Sequence, residues 1–149
     1  MIGERFIKRS REAMRRFGQC ITANDIALGR ELVSASAAFT APVSPDPPYG
    51  AKEYLCMADL MRRNFPDVLR ELEDMAADET TAAVQWSCSG TFSGAPFAGL
   101  QPDGRKFATA VMNFYTFDSD GKIIGDVAAG IAGILQGIGA LSAGNTARR

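Results

Sequence analysis

Histidine is missing altogether from these 149 residues. Its absence removes Ser-His and Cys-His nucleophile pairs, His-ligated metals and the side chain best suited to proton transfer near neutral pH. Any chemistry must run on carboxylate, Tyr, Lys, Cys or oriented water. Cysteine is scarce too. Cys20, Cys56 and Cys88 are odd in number, widely spaced and never in a CxxC pair, which excludes a zinc knuckle or a thioredoxin-like couple. They are expected as free, buried thiols in a reducing cytoplasm. No run nears the roughly 20 apolar residues that span a bilayer. A net charge of -1 gives no reason to expect nucleic acid or a membrane as partner.

A composition that is 46% hydrophobic and 22% charged can build a packed core, so one domain is expected over 1–149. Its core should span about 4–141, with 142–149 a frayed tail. Arg5, Lys8, Arg9, Arg11, Arg15 and Arg16 superficially suggest a transit peptide, but Glu4 and Glu12 interrupt them. Phe6, Ile7, Ala13, Met14, Phe17 and Ile21 fall on the opposite stripe, predicting an amphipathic helix over 4–22. Asn24 is the expected N-cap of a second helix, Asp25 to about Ser34, burying Ile26, Leu28 and Leu32. Four prolines in 41–50 make a rigid loop, read as part of a pocket rim.

A third helix is expected over Ala51–Asn64, with Tyr54, Leu55, Ala58 and Met61 on its inner stripe and Pro66 as its stop. The period then changes to two. Val68, Arg70, Leu72 and Asp74 alternate with Leu69, Glu71 and Glu73 in an ambiguous strand-like segment. Thr80–Ser93 is a clearer strand with Val84, Trp86 and Cys88 on one face. A glycine-rich turn over Gly90–Gly104 leads to a strand at Arg105–Asp118, a hairpin at Asp120-Gly121, a strand at Lys122–Ala132 and a short helix at Gly133–Leu141. Helices segregated from a meander of strands predict an α+β fold, a curved sheet wrapped on its helices around a blind pocket.

Gly90-Thr91-Phe92-Ser93-Gly94, then Gly99-Leu-Gln-Pro102-Asp103-Gly104-Arg105, resembles the signature of the SnoaL-like polyketide cyclases, Gly-Thr-His-x-Gly followed by Gly-x-x-Pro-Thr-Gly-Lys/Arg. Gly50-Ala-Lys-Glu, Asn64-Phe65-Pro66-Asp67, Val84-Gln-Trp86, Asp120-Gly121-Lys122-Ile123 and Gly133–Leu141 are similar to further family segments, in the same order over about 12–141. The resemblance implies a nuclear-transport-factor-two-like cone, a mixed or antiparallel sheet on three N-terminal helices, paired as a homodimer or homotetramer through its outer face. It also implies cofactor-free intramolecular aldol closure of a polyketide-like ketone, with an Asp on the final strand as base.

The chain departs from that pattern at the chemistry itself. The family's Asp aligns with Gly130 or Ile131, its His with Phe92 and its Arg near Thr116. Asp126 is the only carboxylate on the last strand; facing inward it would be desolvated and basic, and the alternative is a bulge or exposed edge at Gly125-Asp126. Asn113 and Tyr115 share a face with Val111 and Phe117, where they could bind a substrate carbonyl or enolate, or satisfy one another. Trp86 and Phe92 could stack on a flat ligand, as could Tyr54 from the third helix, or each could be plain core. Cys88 has no basic neighbour in sequence to activate it.

Three functions follow. The first is a cyclase or isomerase using Asp126 with Asn113 or Tyr115, without cofactor or metal. The second is a cone that binds a hydrophobic metabolite unchanged. The third, addition of water to an epoxide, needs an Asp-Arg-Asp set that the strands lack.

Overall fold

A computed structural model describes residues 2–23, 25–40, 49–97, 99–130 and 132–140. Helix α1 (Ile2–Ala23) buries Ser10, Met14, Phe17 and Ile21, a four-three-four spacing that lays them on one stripe. Ile7, expected on that stripe, is 42% exposed. It lies in phase with Met14, so position along the axis and not rotation leaves it uncovered. Helix α2 (Ile26–Leu32) is shorter than expected, and its N-cap is Asp25, whose Oδ1 accepts from the Leu28 amide at 2.9 Å. Asn24, the expected cap, lies outside the described residues. Of the three apolar residues expected inside, Leu32 is buried while Ile26 and Leu28 are half-buried.

The helix ends where Val33 turns extended, opening β1 (Val33–Thr40), a strand the sequence did not announce. Its middle is Ser and Ala, which carry almost no alternation signal; Val33, Ala37 and Phe39 are its buried residues. The chain continues through β2 (Tyr49–Gly50), α3 (Ala51–Asn64), β3 (Leu69–Ala77), β4 (Thr81–Thr91), β5 (Lys106–Phe117), β6 (Ile123–Ala129) and α4 (Ala132–Gly137). Residues 41–48, expected as a pocket rim, and the expected tail at 142–149 lie outside the described residues. The expected order of three helices and then a meander is therefore corrected at one point, since β1 and β2 lie between α2 and α3, while the short helix expected after the last strand is present as α4.

The strands form one mixed sheet in the order β2-β1-β6-β5-β4-β3. Strand β1 runs parallel to β6 and every other pairing is antiparallel. Register shifts between Val33 and Ala38, Leu72 and Asp74, and Thr116 and Phe117 bend and twist the sheet locally. Helix α1 lies against β3, α3 against β1 and α4 against β5. The core between them is built on Met14, Phe17, Val84, Trp86, Tyr115 and Ile123.

Two of the sequence motifs meet in space. The Asp67 carboxylate accepts from the Thr91 amide and hydroxyl, both at 2.7 Å, and these bonds hold it below its ordinary pKa of 3.8. The Gly94 amide donates to the Asn64 carbonyl at 3.1 Å, and a Cβ at Gly94 would collide with the Arg63 carbonyl oxygen. Glycine is required there by contact with the end of α3. Phe65 gathers Phe92, Phe97 and Phe107 around itself, with ring centroids 5.0 to 6.0 Å away. Of the three cysteines expected inside, Cys20 and Cys88 are buried but Cys56 is exposed on α3.

Candidate functional site

Four strands bring polar side chains to the inner face of the sheet. Strand β6 supplies Asp126, only 4% exposed. A bulge puts it there. Thr116 pairs with Gly125, but the next residue of β5, Phe117, pairs with Ile123, so β6 carries one extra residue at Ile124. Ile123 and Asp126, three apart, are thereby both buried, which simple alternation forbids. The bulge and the inward acid were alternatives in the sequence; in the structure the first accompanies the second.

Strand β5 supplies Asn113 and Tyr115, 4% and 0% exposed. The Asn113 Nδ2 donates to both carboxylate oxygens of Asp126, at 2.7 and 2.9 Å. Its Oδ1 accepts from Arg70 Nη2 at 2.8 Å, and the same nitrogen lies 3.3 Å from the Tyr115 hydroxyl. A guanidinium, an amide and a carboxylate thus form one relay across β3, β5 and β6. Burial pushes the Asp126 carboxyl up from 3.8 to about 6, against the lowering pull of the Asn113 hydrogen bond and then of the Arg70 charge.

Arg70 is the residue that sequence reasoning missed. Its signal was present: it shares the alternation of Val68, which is buried, in the segment left ambiguous between helix and strand. What holds it is tertiary. Its backbone amide donates to Thr22 Oγ1 at 3.1 Å, tying β3 to the last turn of α1, and its guanidinium lies 4.7 Å from the Trp86 ring centroid. It also pairs in register with Cys88, the basic neighbour that the linear sequence did not offer. Burial nevertheless holds the Cys88 thiol above its ordinary 9.0, with Arg70 only opposing, so the thiol is not activated.

Trp86 is fully buried, and its indole N–H has no hydrogen-bond acceptor among the described residues. Trp86 and Arg70 line a groove of about 410 Å³ between α1 and β3, alongside Gly18, Thr22 and Leu72. Phe17 closes over Tyr115 edge-on, with centroids 5.8 Å apart. Asp126, Asn113, Tyr115 and Trp86 therefore gather around Arg70. Phe92 packs instead in the cluster around Phe65, beyond the end of β4. Tyr54 belongs to α3, but its side chain lies outside the described residues. Among the described residues no three Cys, Asp or Glu side chains converge to hold a metal ion.

Of the two positions at which the family's Asp is expected, Ile131 lies outside the described residues and Gly130 is sterically closed. Gly130 has φ +89°, and a Cβ there would meet the Ala110 carbonyl oxygen. The buried carboxylate of this network, Asp126, belongs to β6, which ends at Ala129.

A search of curated protein sequences finds no significant match. Solved structures supply the likeness in fold. IdmH from Streptomyces antibioticus, provisionally assigned as a polyketide cyclase, superposes with a TM-score of 0.74 at 21% identity, over 87% of this chain and 98% of that one. AclR from Streptomyces galilaeus, provisionally assigned as a hydroxylase, gives 0.76 at 18% identity over 91% and 83%. A SnoaL-like polyketide cyclase from Agrobacterium tumefaciens gives 0.70 at 18% identity over 85% and 95%. The α+β cone expected from the sequence is the fold these structures share. Residues 11–128 match the model of the SnoaL-like polyketide cyclases, and the chain belongs to that family.

Proposed function

We propose that the protein is a cofactor-free cyclase or related isomerase of a polyketide-like ketone, with Asp126 as its general base. The observation that carries this is a buried carboxylate with its pKa lifted to about 6, steadied by Asn113 and, through it, by Arg70. At neutral pH such a group is mostly ionised yet more basic than an ordinary aspartate, which suits removal of a C–H proton flanked by two carbonyls. Asp126 takes that proton and the bonding pair becomes an enolate. The enolate carbon attacks a ketone carbon of the same molecule, forming the new C–C bond. The resulting alkoxide recovers the proton from Asp126, so no co-reactant is consumed. With Asn113 donating to Asp126, Arg70, Tyr115 and the indole N–H of Trp86 are the further donors that would serve a developing oxyanion.

The test is turnover of a 1,3-dicarbonyl ketone able to cyclise internally. Asp126→Asn should lower kcat by about 10²- to 10⁴-fold, the usual contribution of a general base. Unchanged turnover would end the assignment. A second reading, a cone that holds a hydrophobic metabolite unchanged, is favoured by one observation: both Asp126 oxygens already accept from Asn113. Ligand bound tightly and recovered unaltered would support it.

We also infer that the outer sheet face meets a second copy of the chain. Phe114 and Val127 are register partners there and Met112 adjoins them, each between 46% and 52% exposed. A continuous apolar stripe of that kind on a sheet face marks an interaction surface. Free thiols at Cys20, Cys56 and Cys88 fit a reducing cytoplasm.

A further inference from the structure

Helices α2 and α3 approach closely where Gly29 leaves room for Leu55; a Cβ on Gly29 would lie 2.5 Å from Leu55 Cδ2. Beside that contact is a groove of about 600 Å³. Its apolar walls come from Ile26 on α2, Val33 on β1 and Leu55 on α3. Three cations line it from three different elements: Arg30 from α2, Lys52 from α3 and Lys122 from the turn before β6. One acid, Asp59, faces them, and it is ion-paired with Arg63 at 2.6 Å. Lys122 also lines an adjoining groove of about 550 Å³ with Arg5, Lys8, Arg9 and Arg16, where Glu12, Glu31 and Asp120 face them and Arg16 is ion-paired with Glu31 at 2.9 Å. Cations outnumber acids in both linings, three to one in the first and five to three in the second, although the chain's net charge is -1.

We propose that the α2–α3 groove binds a monomeric amphiphilic anion, its hydrocarbon body on Ile26, Val33 and Leu55 and its phosphate or carboxylate head among Arg30, Lys52 and Lys122. An apolar wall beside converging, exposed cations matches neither a neutral lipid nor a bare ion: the first leaves the cations idle, the second leaves the apolar wall wet. The groove shares no residue with the Asp126 network, so the site stands apart from the proposed catalysis.

Cys56 lines this groove and is exposed, whereas Cys20 and Cys88 are buried, so its alkylation reports occupancy. The uncharged reagent N-ethylmaleimide would be used with dodecyl phosphate below its micelle concentration, and calorimetry would read binding in parallel. Dodecyl phosphate should slow labelling about tenfold, equivalent to roughly 1.4 kcal/mol of free energy at the concentration used, and should give a saturable heat. Dodecyl maltoside and inorganic phosphate should each leave the labelling rate unchanged. Lys52→Glu combined with Lys122→Glu should abolish both protection and heat while circular dichroism stays native. Arg30→Gln should weaken both, and Asp126→Asn should alter neither. Equal protection by the maltoside, protection by phosphate alone, binding that survives the double charge reversal, or no binding at all would each overturn the proposal.

Discussion

Tyr115 and Asp126 face each other in register across β5 and β6, yet the side chain that grips Asp126 belongs to Asn113, two residues earlier on β5. The carboxylate therefore leans along the strand towards Arg70's partner. Three residue types share one hydrogen-bonded chain, and each end should respond when the middle is removed.

Asn113→Ala removes the hydrogen-bond donor that lowers the Asp126 pKa and the acceptor that Arg70 uses. The Asp126 carboxyl should then titrate above 6, and stability should fall by about 1–3 kcal/mol for the unsatisfied buried groups. Carboxyl-carbon NMR of the labelled protein reads the first and urea unfolding the second. A titration midpoint at or below the wild-type value would contradict the relay.

Folded Asp126 holds its proton up to about pH 6, whereas the unfolded side chain releases it near 3.8. The group's contribution to stability is therefore full below the lower value and lost as pH rises through the upper one. Above that window the charged carboxylate costs on the order of 3 kcal/mol. Asp126→Asn should be more stable than the parent at pH 7.5, and it should lack the parent's decline between pH 4 and 7. Urea midpoints across that range decide it; parallel profiles for the two proteins would mean that Asp126 titrates as an ordinary acid.

Placing an acid at Gly130, one of the two positions expected to align with the family's Asp, should fail. Gly130→Asp forces a side chain against the Ala110 carbonyl and a non-glycine residue into φ +89°, and should destabilise by several kcal/mol, on the order of an overpacked and strained site combined. Ala129→Asp, on an exposed position one residue earlier, is the control and should cost under about 1 kcal/mol. Thermal unfolding of both variants measures the contrast. Equal melting temperatures would show that the Gly130 backbone can relax.

Phe114→Lys places a charge in the middle of the exposed apolar stripe next to Val127. Sedimentation should move from a two-copy species to a monomer, with the fold unchanged by circular dichroism. A parent protein that already sediments as a monomer would dispose of the outer-face assembly.

Much of this was legible where side chains carry a strong period. α3 ends where Pro66 dictates, and the alternation of Val84, Trp86 and Cys88 gives the inner face of β4. Strand β1 was illegible because Ser and Ala bury or expose themselves with little energetic consequence, so its place is set by pairing with β6. Arg70 was legible only as one member of a period-two segment, not as a member of the site. Its partners are 43 and 45 residues distant, and a period-two segment cannot say which of its two faces another strand will cover. The inward turn of Asp126 was a choice between parities, and the bulge that decides it leaves no mark in composition.

That bulge has an evolutionary corollary. Removing one codon at Ile124 would erase the bulge yet leave Phe117 opposite Ile123, Thr116 opposite Gly125 and Tyr115 opposite Asp126, so the acid would stay on the inner face one position nearer the hairpin. Single-residue insertions and deletions at such a bulge therefore change how far the acid lies from the Asp120-Gly121 hairpin while keeping it inside. Comparing relatives column by column would register the outcome as loss of the acid, when the acid has only changed address.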